Sequence, residues 1–290
     1  MHNQKGFMKN KKQSEEQIFL WIMRIVTFSI IFVFASILVV IVQKGWRALS
    51  WEMISQEPQG GFYFGKGGGI LNAIVGSLYL AFGATFLAVL IGLPVALGMN
   101  VHWMRNKRRV GILRFLLDAL WGVPSIVFGA FGFALMTYFH LRASLLAGII
   151  TVTLFIVPIF IRAFDEVLRT IPQGLLEASY SLGATRTRTA FGVFFRQALP
   201  GFITTLLLAF GRGIGDAASV LFTAGYTDHI PQTLQDPTAT LPLAIFFQLS
   251  SSIPEVKERA YAAALILTAI ILAISIISRL AIKKFKKNII

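Results

Sequence analysis

Arg212 and Asp216 are two charged side chains within an otherwise apolar segment, residues 200–224. A charged side chain at the centre of a hydrocarbon layer costs roughly 2.5–3.5 kcal/mol, so such residues face a cavity or each other. Their spacing predicts that both lie on one face of a helix. Two kinds of chemistry fit the pair. Arg212 can bind an oxyanion through its planar donors while Asp216 weakens that attraction enough for release, or the pair is a structural ion pair that fixes helix packing.

The composition predicts a membrane protein. Of the 290 residues, 56% are hydrophobic and only 14% are charged, and the mean hydropathy is +0.71, whereas a soluble domain carries about 25% charged residues. Six segments reach the roughly 20 apolar residues needed to cross a bilayer. They are residues 18–42, 70–101, 115–139, 143–164, 200–224 and 260–282. The predicted fold is therefore all-α with six transmembrane helices.

The distribution of basic residues predicts the orientation. Twenty of the 27 Lys and Arg side chains fall on one side of the predicted spans, and six fall on the other. The richer side holds four groups of five basic residues: the tail at residues 1–17 with Arg24, the tail at residues 283–290 with Arg279, the loop from Arg105 to Arg114, and a loop at residues 165–199 with Arg162. Because short cytosolic loops carry the excess of Lys and Arg, both termini and this loop are predicted to be cytosolic. Membrane topology thus accounts for the net charge of +14, and a nucleic-acid partner is not needed.

The motifs associated with catalysis are incomplete in this sequence. Residues 60–66 have the spacing of a phosphate-binding loop, but Gly67 replaces the Ser or Thr that binds magnesium. The Gly-rich run at residues 211–215 lacks the last glycine of a dinucleotide fingerprint and predicts close helix packing instead. The four histidines are scattered, and the chain has no cysteine. We therefore expect no catalytic residue, metal site or cofactor on this chain, so that any energy source is a partner.

The 165–199 loop is the predicted partner site. Thr170 to Gln173 reads as a capping box that opens a short polar helix, with Pro172 in its first turn. This helix should run to Leu182 and end at Gly183 in the left-handed conformation. Spanning the bilayer does not require such a helix, whereas a partner can grip it; an ordinary interfacial loop is the alternative. A second amphipathic stretch should follow, with one face formed by Phe191, Phe194, Phe195 and Ala198.

The third predicted span contains a helix breaker. Pro124 removes a backbone hydrogen bond, as does Pro94 in the second span, and both predict kinks. Gly129 and Gly132 then permit close contact with a neighbouring helix. Ser125 can either satisfy backbone groups freed by Pro124 or offer its hydroxyl to a substrate. Near the cytosolic start of this span, Asp118 follows Arg114 by four residues and is expected to pair with it.

The loop also carries a family resemblance. Glu177-Ala178-Ser179, with Gly183 four residues later, resembles the EAA loop of binding-protein-dependent ABC importer permeases. In that family the loop is a coupling helix that inserts into a cleft of the ATPase subunit. The resemblance implies a type I ABC importer permease architecture, also termed MetI-like.

Three further stretches are similar to phosphate permeases of the PstA type. They are residues 69–76, 122–129 and 212–216. Two departures weaken the assignment of the substrate: Phe195-Arg196 stands where the family has Leu-Pro, and Asp216 stands where it has Glu. In this family the arginine that corresponds to Arg212 is important for transport.

The resemblance implies the partners and the site residues. The partners are a PstC-type second permease, a PstB-type ATPase dimer that binds ATP and magnesium, a PstS-type phosphate-binding protein and membrane lipid, in a prokaryotic plasma membrane. Residues implied in ATPase coupling are Glu177, Ala178, Ser179 and Gly183, and those implied in the substrate path are Arg212, Asp216 and Ser125. Two rivals remain: a permease for sulfate, molybdate or phosphonate, and a channel or ion-coupled carrier that needs no ATPase.

Overall fold

The structure is a computed structural model. It describes the backbone of residues 2–60, 67–104 and 106–286, and the side chains of residues 16–60, 67–104 and 106–280. Within these ranges the chain is helical, with turns and a single isolated bridge between Pro58 and Gly68. Most side chains of the two predicted basic tails, and residues 61–66, lie outside the described residues.

The helices follow one another with short connections. In chain order they are α1 (His2–Ala48), α2 (Trp51–Ser55), α3 (Leu71–Leu97), α4 (Lys107–Trp121), α5 (Ser125–Tyr138), α6 (Leu145–Arg169), α7 (Gln173–Ser181), α8 (Arg186–Thr189), α9 (Phe195–Gly215), α10 (Leu241–Leu249) and α11 (Pro254–Lys286). A π-helical turn, Gly98–His102, extends α3, and a second, Ala190–Phe194, joins α8 to α9. Among the described residues, five helical stretches are long and apolar enough to cross a membrane: Glu16–Ala48, Leu71–His102, Leu145–Arg169, Arg186–Gly215 and Pro254–Leu280.

The third predicted span is divided into two helices. Helices α4 and α5 meet at an angle of 96° and together meet the length and hydropathy of one span. Pro124 has extended backbone angles (φ −57°, ψ 139°) between the two helices and cannot donate the backbone hydrogen bond that would continue α4. The kink predicted at Pro124 within the span 115–139 is confirmed. Pro94, in contrast, lies inside α3, which continues past it.

The centre of the bundle is the contact between α3 and α6. Leu80, Ala84 and Ala88 recur every four residues along α3 and are buried against the Val152 and Phe160 side of α6. Small residues permit this close approach, which drives helix association where hydrocarbon replaces water. Because α6 is held on several sides, it provides a rigid frame for the loops at both of its ends.

The fifth span differs from its prediction at both ends. It begins at Arg186, continues through the π turn into α9 and stops at Gly215, whereas the sequence predicted 200–224. Residues 218–224 form turns, with Thr223 and Ala224 donating backbone hydrogen bonds to Val220. Asp216 therefore lies just beyond the helix that carries Arg212.

Candidate functional site

Arg212, Asp216 and Ser125 line one cavity. Its volume is about 370 Å³, and its walls come from the α4–α5 bend, α6 and the end of α9. Phe155 of α6 and Gly211 and Gly215 of α9 complete the lining. The fold thus brings together the three residues implied in the substrate path, although Ser125 and Asp216 are 91 positions apart in the sequence.

Asp216 anchors the start of α5 and the turn after α9. The Ser125 hydroxyl donates a hydrogen bond to Asp216 Oδ1 at 2.8 Å, and the backbone N–H of Ser219 donates to Oδ2 at 2.8 Å. Asp216 has extended backbone angles (φ −90°, ψ 120°), so the prediction that it shares a helix face with Arg212 is wrong. Its carboxylate instead fixes the end of α9 to the beginning of α5.

Arg212 lies over an aromatic ring. Its guanidinium carbon is 5.5 Å from the centre of the Phe155 ring, a distance at which a cation and a ring face attract each other. Among the described residues, no carboxylate oxygen lies within 4.0 Å of the guanidinium nitrogens. The ion pair between Arg212 and Asp216 that the sequence allowed is therefore not formed, and the planar donors of Arg212 face the cavity without a bound carboxylate.

Small residues bring the walls of the cavity together. A Cβ on Gly129 of α5 would lie 2.7 Å from the carbonyl oxygen of Ala218, and a Cβ on Gly132 would lie 2.2 Å from Thr151 Oγ1 of α6. Both contacts are too close for any larger residue, so α5 packs directly on α6 and on the turn after α9. The close contact predicted for these glycines is confirmed.

Helix α7 forms a second candidate site at the opposite end of α6. Thr170 ends α6, and its hydroxyl donates to the carbonyl of Val167 at 2.8 Å. Pro172, with φ −58° and ψ 131°, is the residue before the first helical position, and no side chain caps the α7 N-terminus. The predicted capping box is therefore wrong, because the Thr170 hydroxyl is used by the preceding helix.

The C-terminal end of α7 agrees with the prediction. Gly183 has φ +75°, its N–H donates to Tyr180 at 2.9 Å, and the N–H of Ala184 donates to Ser179 at 3.1 Å. This pair of bonds is the Schellman arrangement, which requires a left-handed residue at the position of Gly183. The helix end is thus fixed by local hydrogen bonds that need a left-handed residue, and the sequence places a glycine at that position.

The four residues implied in coupling do not share one surface. Glu177, Ala178 and Gly183 are exposed, and next to Gly183 the Leu182 side chain is 88% exposed. Ser179 is buried, and its hydroxyl lies 2.8 Å from that of Thr189. Ser179 therefore joins α7 to α8, whereas Glu177 and Ala178 belong to a surface that a partner can reach.

The stretch after Gly183 packs differently from its prediction. Phe194 and Ala198 are buried, but Phe191 is 47% exposed. The backbone hydrogen bonds of the π turn at Ala190–Phe194 span one residue more than those of an α-helical turn. The residues before the turn are therefore rotated about the helix axis relative to those after it. The predicted single apolar face is therefore wrong at Phe191.

The chain is similar to known transport proteins. Residues 88–289 match the family described as the inner membrane component of binding-protein-dependent transport systems. The chain belongs to this permease family. Its relatives include the phosphate transport system permease protein PstA of Pasteurella multocida, which is 31% identical over 84% of this chain and 86% of that protein. A probable PstA from Methanocaldococcus jannaschii is 31% identical over 95% of this chain and 96% of that protein.

A solved transporter has the same fold as this permease. A chain of the MetNI methionine ABC transporter, in an inward-facing conformation, superposes with a TM-score of 0.61 at 20% identity, covering 74% of this permease and 95% of that chain. The all-α, type I importer architecture is thereby confirmed. The permease is a multi-pass inner-membrane protein, and a permease of an ABC importer works with an ATPase and a second permease.

The ion pairs near the C-terminal end of α6 include one that the sequence analysis did not predict. Arg114 does not pair with Asp118; it pairs with Asp165 of α6 at 2.8 Å, and Asp118 accepts from Arg162 Nε at 2.6 Å. The signal was present, because Asp165 shares the helical spacing of the buried residues Ile161, Phe164 and Leu168. An acidic residue on the buried face of a helix predicts a buried partner.

Metal ligands are scattered in the permease. Across the described ranges, no group of three His, Asp or Glu side chains is arranged to hold a metal ion.

Proposed function

We propose that this chain is the PstA-type permease subunit of an ATP-driven phosphate importer. Its relatives across most of the chain carry that name, and the geometry of the cavity fits the chemistry. The observation that carries the proposal is Arg212, an exposed guanidinium that lines the cavity beside Phe155 with no carboxylate bound to it. A guanidinium forms paired, charge-assisted hydrogen bonds with phosphate oxygens.

The three polar residues that line the cavity have different roles. Arg212 attracts the phosphate oxyanion. Asp216, whose oxygens accept from Ser125 and Ser219, supplies a nearby negative charge that prevents the anion from being held too tightly. Ser125 fixes the position of that carboxylate. A second permease, of the PstC type, completes the pathway on the open side of the cavity.

The energy for transport comes from ATPase subunits that bind ATP and magnesium, and this chain itself is not an enzyme. A PstB-type ATPase dimer engages α7 through the exposed surface of Glu177, Ala178, Leu182 and Gly183. Because Ser179 joins α7 to α8, and the Arg186 guanidinium donates to the carbonyl of His102 at 3.2 Å, a push on α7 reaches the ends of α3 and of the fifth span. Closure of the ATPases then changes which side of the cavity is open.

The remaining assignments complete the importer. A PstS-type binding protein delivers phosphate from outside the cell, and both termini and α7 face the cytosol. The excess of Lys and Arg in the two tails and in the loop that contains α7 supports that orientation.

Reconstitution tests this function. The chain is co-purified with its second permease and ATPase in mild detergent and placed in proteoliposomes with the binding protein outside. We expect uptake of radiolabelled orthophosphate that requires internal ATP and magnesium and that an excess of unlabelled phosphate abolishes. Uptake of labelled sulfate, molybdate or phosphonate, with none of orthophosphate, would assign the permease to that other oxyanion. Rapid phosphate movement by this chain alone, without ATP, would contradict coupling.

Replacing Ser125 by alanine should slow phosphate uptake about tenfold. The substitution removes a hydrogen bond to a charged group, which contributes about 1.5–3 kcal/mol, and releases Asp216 from α5. Initial uptake rates in the same vesicles measure the effect. Ser55→Ala is the matched control, because the Ser55 hydroxyl bonds only within its own short helix, to Trp51, and its uptake should equal that of the wild type. Equal uptake by both variants would remove Ser125 from the site.

A further inference from the structure

Asp165 is a fully buried carboxylate near the coupling end of α6. Its side chain has 0% exposure. Arg114 donates to both of its oxygens at 2.8 Å, Asn100 donates to Oδ1 at 2.8 Å, and Arg162 donates to Oδ2 at 3.3 Å. Four donors thus satisfy one carboxylate, including a two-pronged contact with a single arginine.

This cluster joins three segments of the chain. Asp165 and Arg162 lie on α6, Arg114 lies on α4, and Asn100 lies on the π turn that extends α3. A buried ion pair gains little net stability, because the loss of hydration offsets the attraction between the charges. What it provides is one definite arrangement of the segments, since separating them leaves a charge buried without a partner.

The cluster lies between the two candidate sites. Towards one side, α6 ends at Arg169, and α7 begins at Gln173 after three connecting residues. Towards the other side, α4 runs from Lys107 to Trp121, about 22 Å at 1.5 Å per residue, and reaches the bend that leads into Ser125. Ser125 bonds Asp216 in the wall of the Arg212 cavity.

We propose that Asp165 is a positioning residue that transmits the movement of α7 to the Arg212 cavity by holding α4 to α6. When the ATPases displace α7 and the end of α6, α4 moves with them as one body. Its far end then displaces Ser125 and the Asp216 wall. The inference rests on the proposed function, since it describes how that importer links ATP hydrolysis to opening of the cavity.

Two neighbouring carboxylates permit a matched comparison. Glu166 follows Asp165 directly and also pairs with Arg162, but it is 54% exposed and its partners lie on α6 alone. Asp165→Asn removes the charge that binds Arg114 of α4 directly, whereas Glu166→Gln makes the same chemical change at a carboxylate with no direct contact to α4. The pair between Arg162 and Asp118 of α4 is present in both variants. The complete importer is reconstituted with each variant, and both uptake of radiolabelled orthophosphate and hydrolysis of ATP are measured.

The ratio of phosphate moved to ATP hydrolysed decides the role. We expect Asp165→Asn to lower this ratio at least tenfold while ATP hydrolysis continues, and Glu166→Gln to leave the ratio unchanged. A residue that only supports the fold would lower uptake and hydrolysis together, so an unchanged ratio in Asp165→Asn overturns the inference.

A second variant covers the case in which Asp165→Asn fails to assemble. Arg114→Gln leaves Asp165 bonded to Arg162 and Asn100 and removes the direct contact of Asp165 with α4, so the ratio should fall in the same way although the pair between Asp118 and Arg162 remains. Arg169→Gln is its control, because Arg169 pairs with Glu166 within α6. A lower ratio of phosphate moved to ATP hydrolysed in both arginine variants, or an unchanged ratio in both, contradicts the proposed link between α4 and α6.

Spin labels test the link without any transport measurement. The sequence has no cysteine, so Ile112→Cys on α4 and Thr170→Cys at the end of α6, both exposed positions, can be labelled alone. In the otherwise wild-type importer we expect one narrow distance distribution that ATP does not broaden, and in Arg114→Gln a broad one. Equal widths would overturn the inference. If the wild-type importer takes up no phosphate, the proposed function fails, and the label distances still decide whether α4 follows α6.

Discussion

Replacing Gly183 by proline is expected to reduce ATP-driven phosphate uptake about 100-fold, while the chain still inserts and assembles in the membrane. Gly183 has φ +75°, and proline holds φ near −65°. Proline also removes the N–H that donates to Tyr180 at 2.9 Å. A local cost of about 3 kcal/mol lowers the population of the correctly ended helix about 100-fold. Uptake into proteoliposomes, normalised to assembled complex, measures the loss.

Asparagine at the same position provides the control. Among residues with a side chain, Asn adopts the left-handed conformation most readily, and a Cβ at Gly183 meets no atom within 4 Å. Gly183→Asn should therefore retain most of the uptake, because the helix end survives. If the proline variant transports as well as the asparagine variant, the shape of α7 does not matter for coupling, and the proposed engagement with the ATPase is refuted.

Helix α7 could be predicted from sequence because its limits are set by local chemistry. Pro172 cannot continue α6, and Gly183 supplies the left-handed residue that the last turn requires. The predicted helix, with Pro172 in its first turn and its end at Leu182, is longer than Gln173–Ser181 at both ends, by one residue at its C-terminus. The capping box failed because a threonine hydroxyl has two possible partners, and the preceding helix takes this one.

The end of the fifth span could not be predicted from local pattern. Residues 217–224 are as apolar as the helix before them, so hydropathy alone extends the span to 224. The helix stops at Gly215, and the extended Asp216 after it accepts hydrogen bonds from the N–H of Ser219 and from Ser125, a residue 91 positions away. The contact with Ser125 exists only after α5 has packed on α6. The position of Asp216 therefore depends on the tertiary fold and cannot be read from the local sequence.

The buried carboxylate shows a different kind of failure. Pairing Arg114 with Asp118 used the spacing of neighbours on one helix, which assumes that the nearest opposite charge wins. An exposed pair of that kind contributes about 0–1 kcal/mol, whereas a buried carboxylate such as Asp165 must be compensated. Arg114 therefore bonds to Asp165 across 51 residues of sequence, and Asp118 is left to Arg162.

Replacing Arg212 by glutamine is expected to lower the rate of phosphate uptake about 100-fold or more at phosphate concentrations well below saturation. Glutamine keeps a polar side chain but loses the charge and the paired donors. Each hydrogen bond between a charged group and phosphate contributes about 1.5–3 kcal/mol, so losing two costs more than the roughly 2.7 kcal/mol that corresponds to 100-fold. Folding should survive, because the described contact of this guanidinium is a single one with the Phe155 ring.

Lysine and a remote arginine separate recognition of the anion from general effects of charge. Arg212→Lys keeps the positive charge but presents it as a point, without the planar pair of donors, and should fall between the wild type and Arg212→Gln. Arg142→Gln removes an equal charge from an exposed position outside the cavity and should transport at the wild-type rate. Uptake is measured against phosphate concentration for each variant. Wild-type uptake by Arg212→Gln would mean that the anion crosses without this guanidinium, and the cavity between α5, α6 and α9 would then have no part in the pathway.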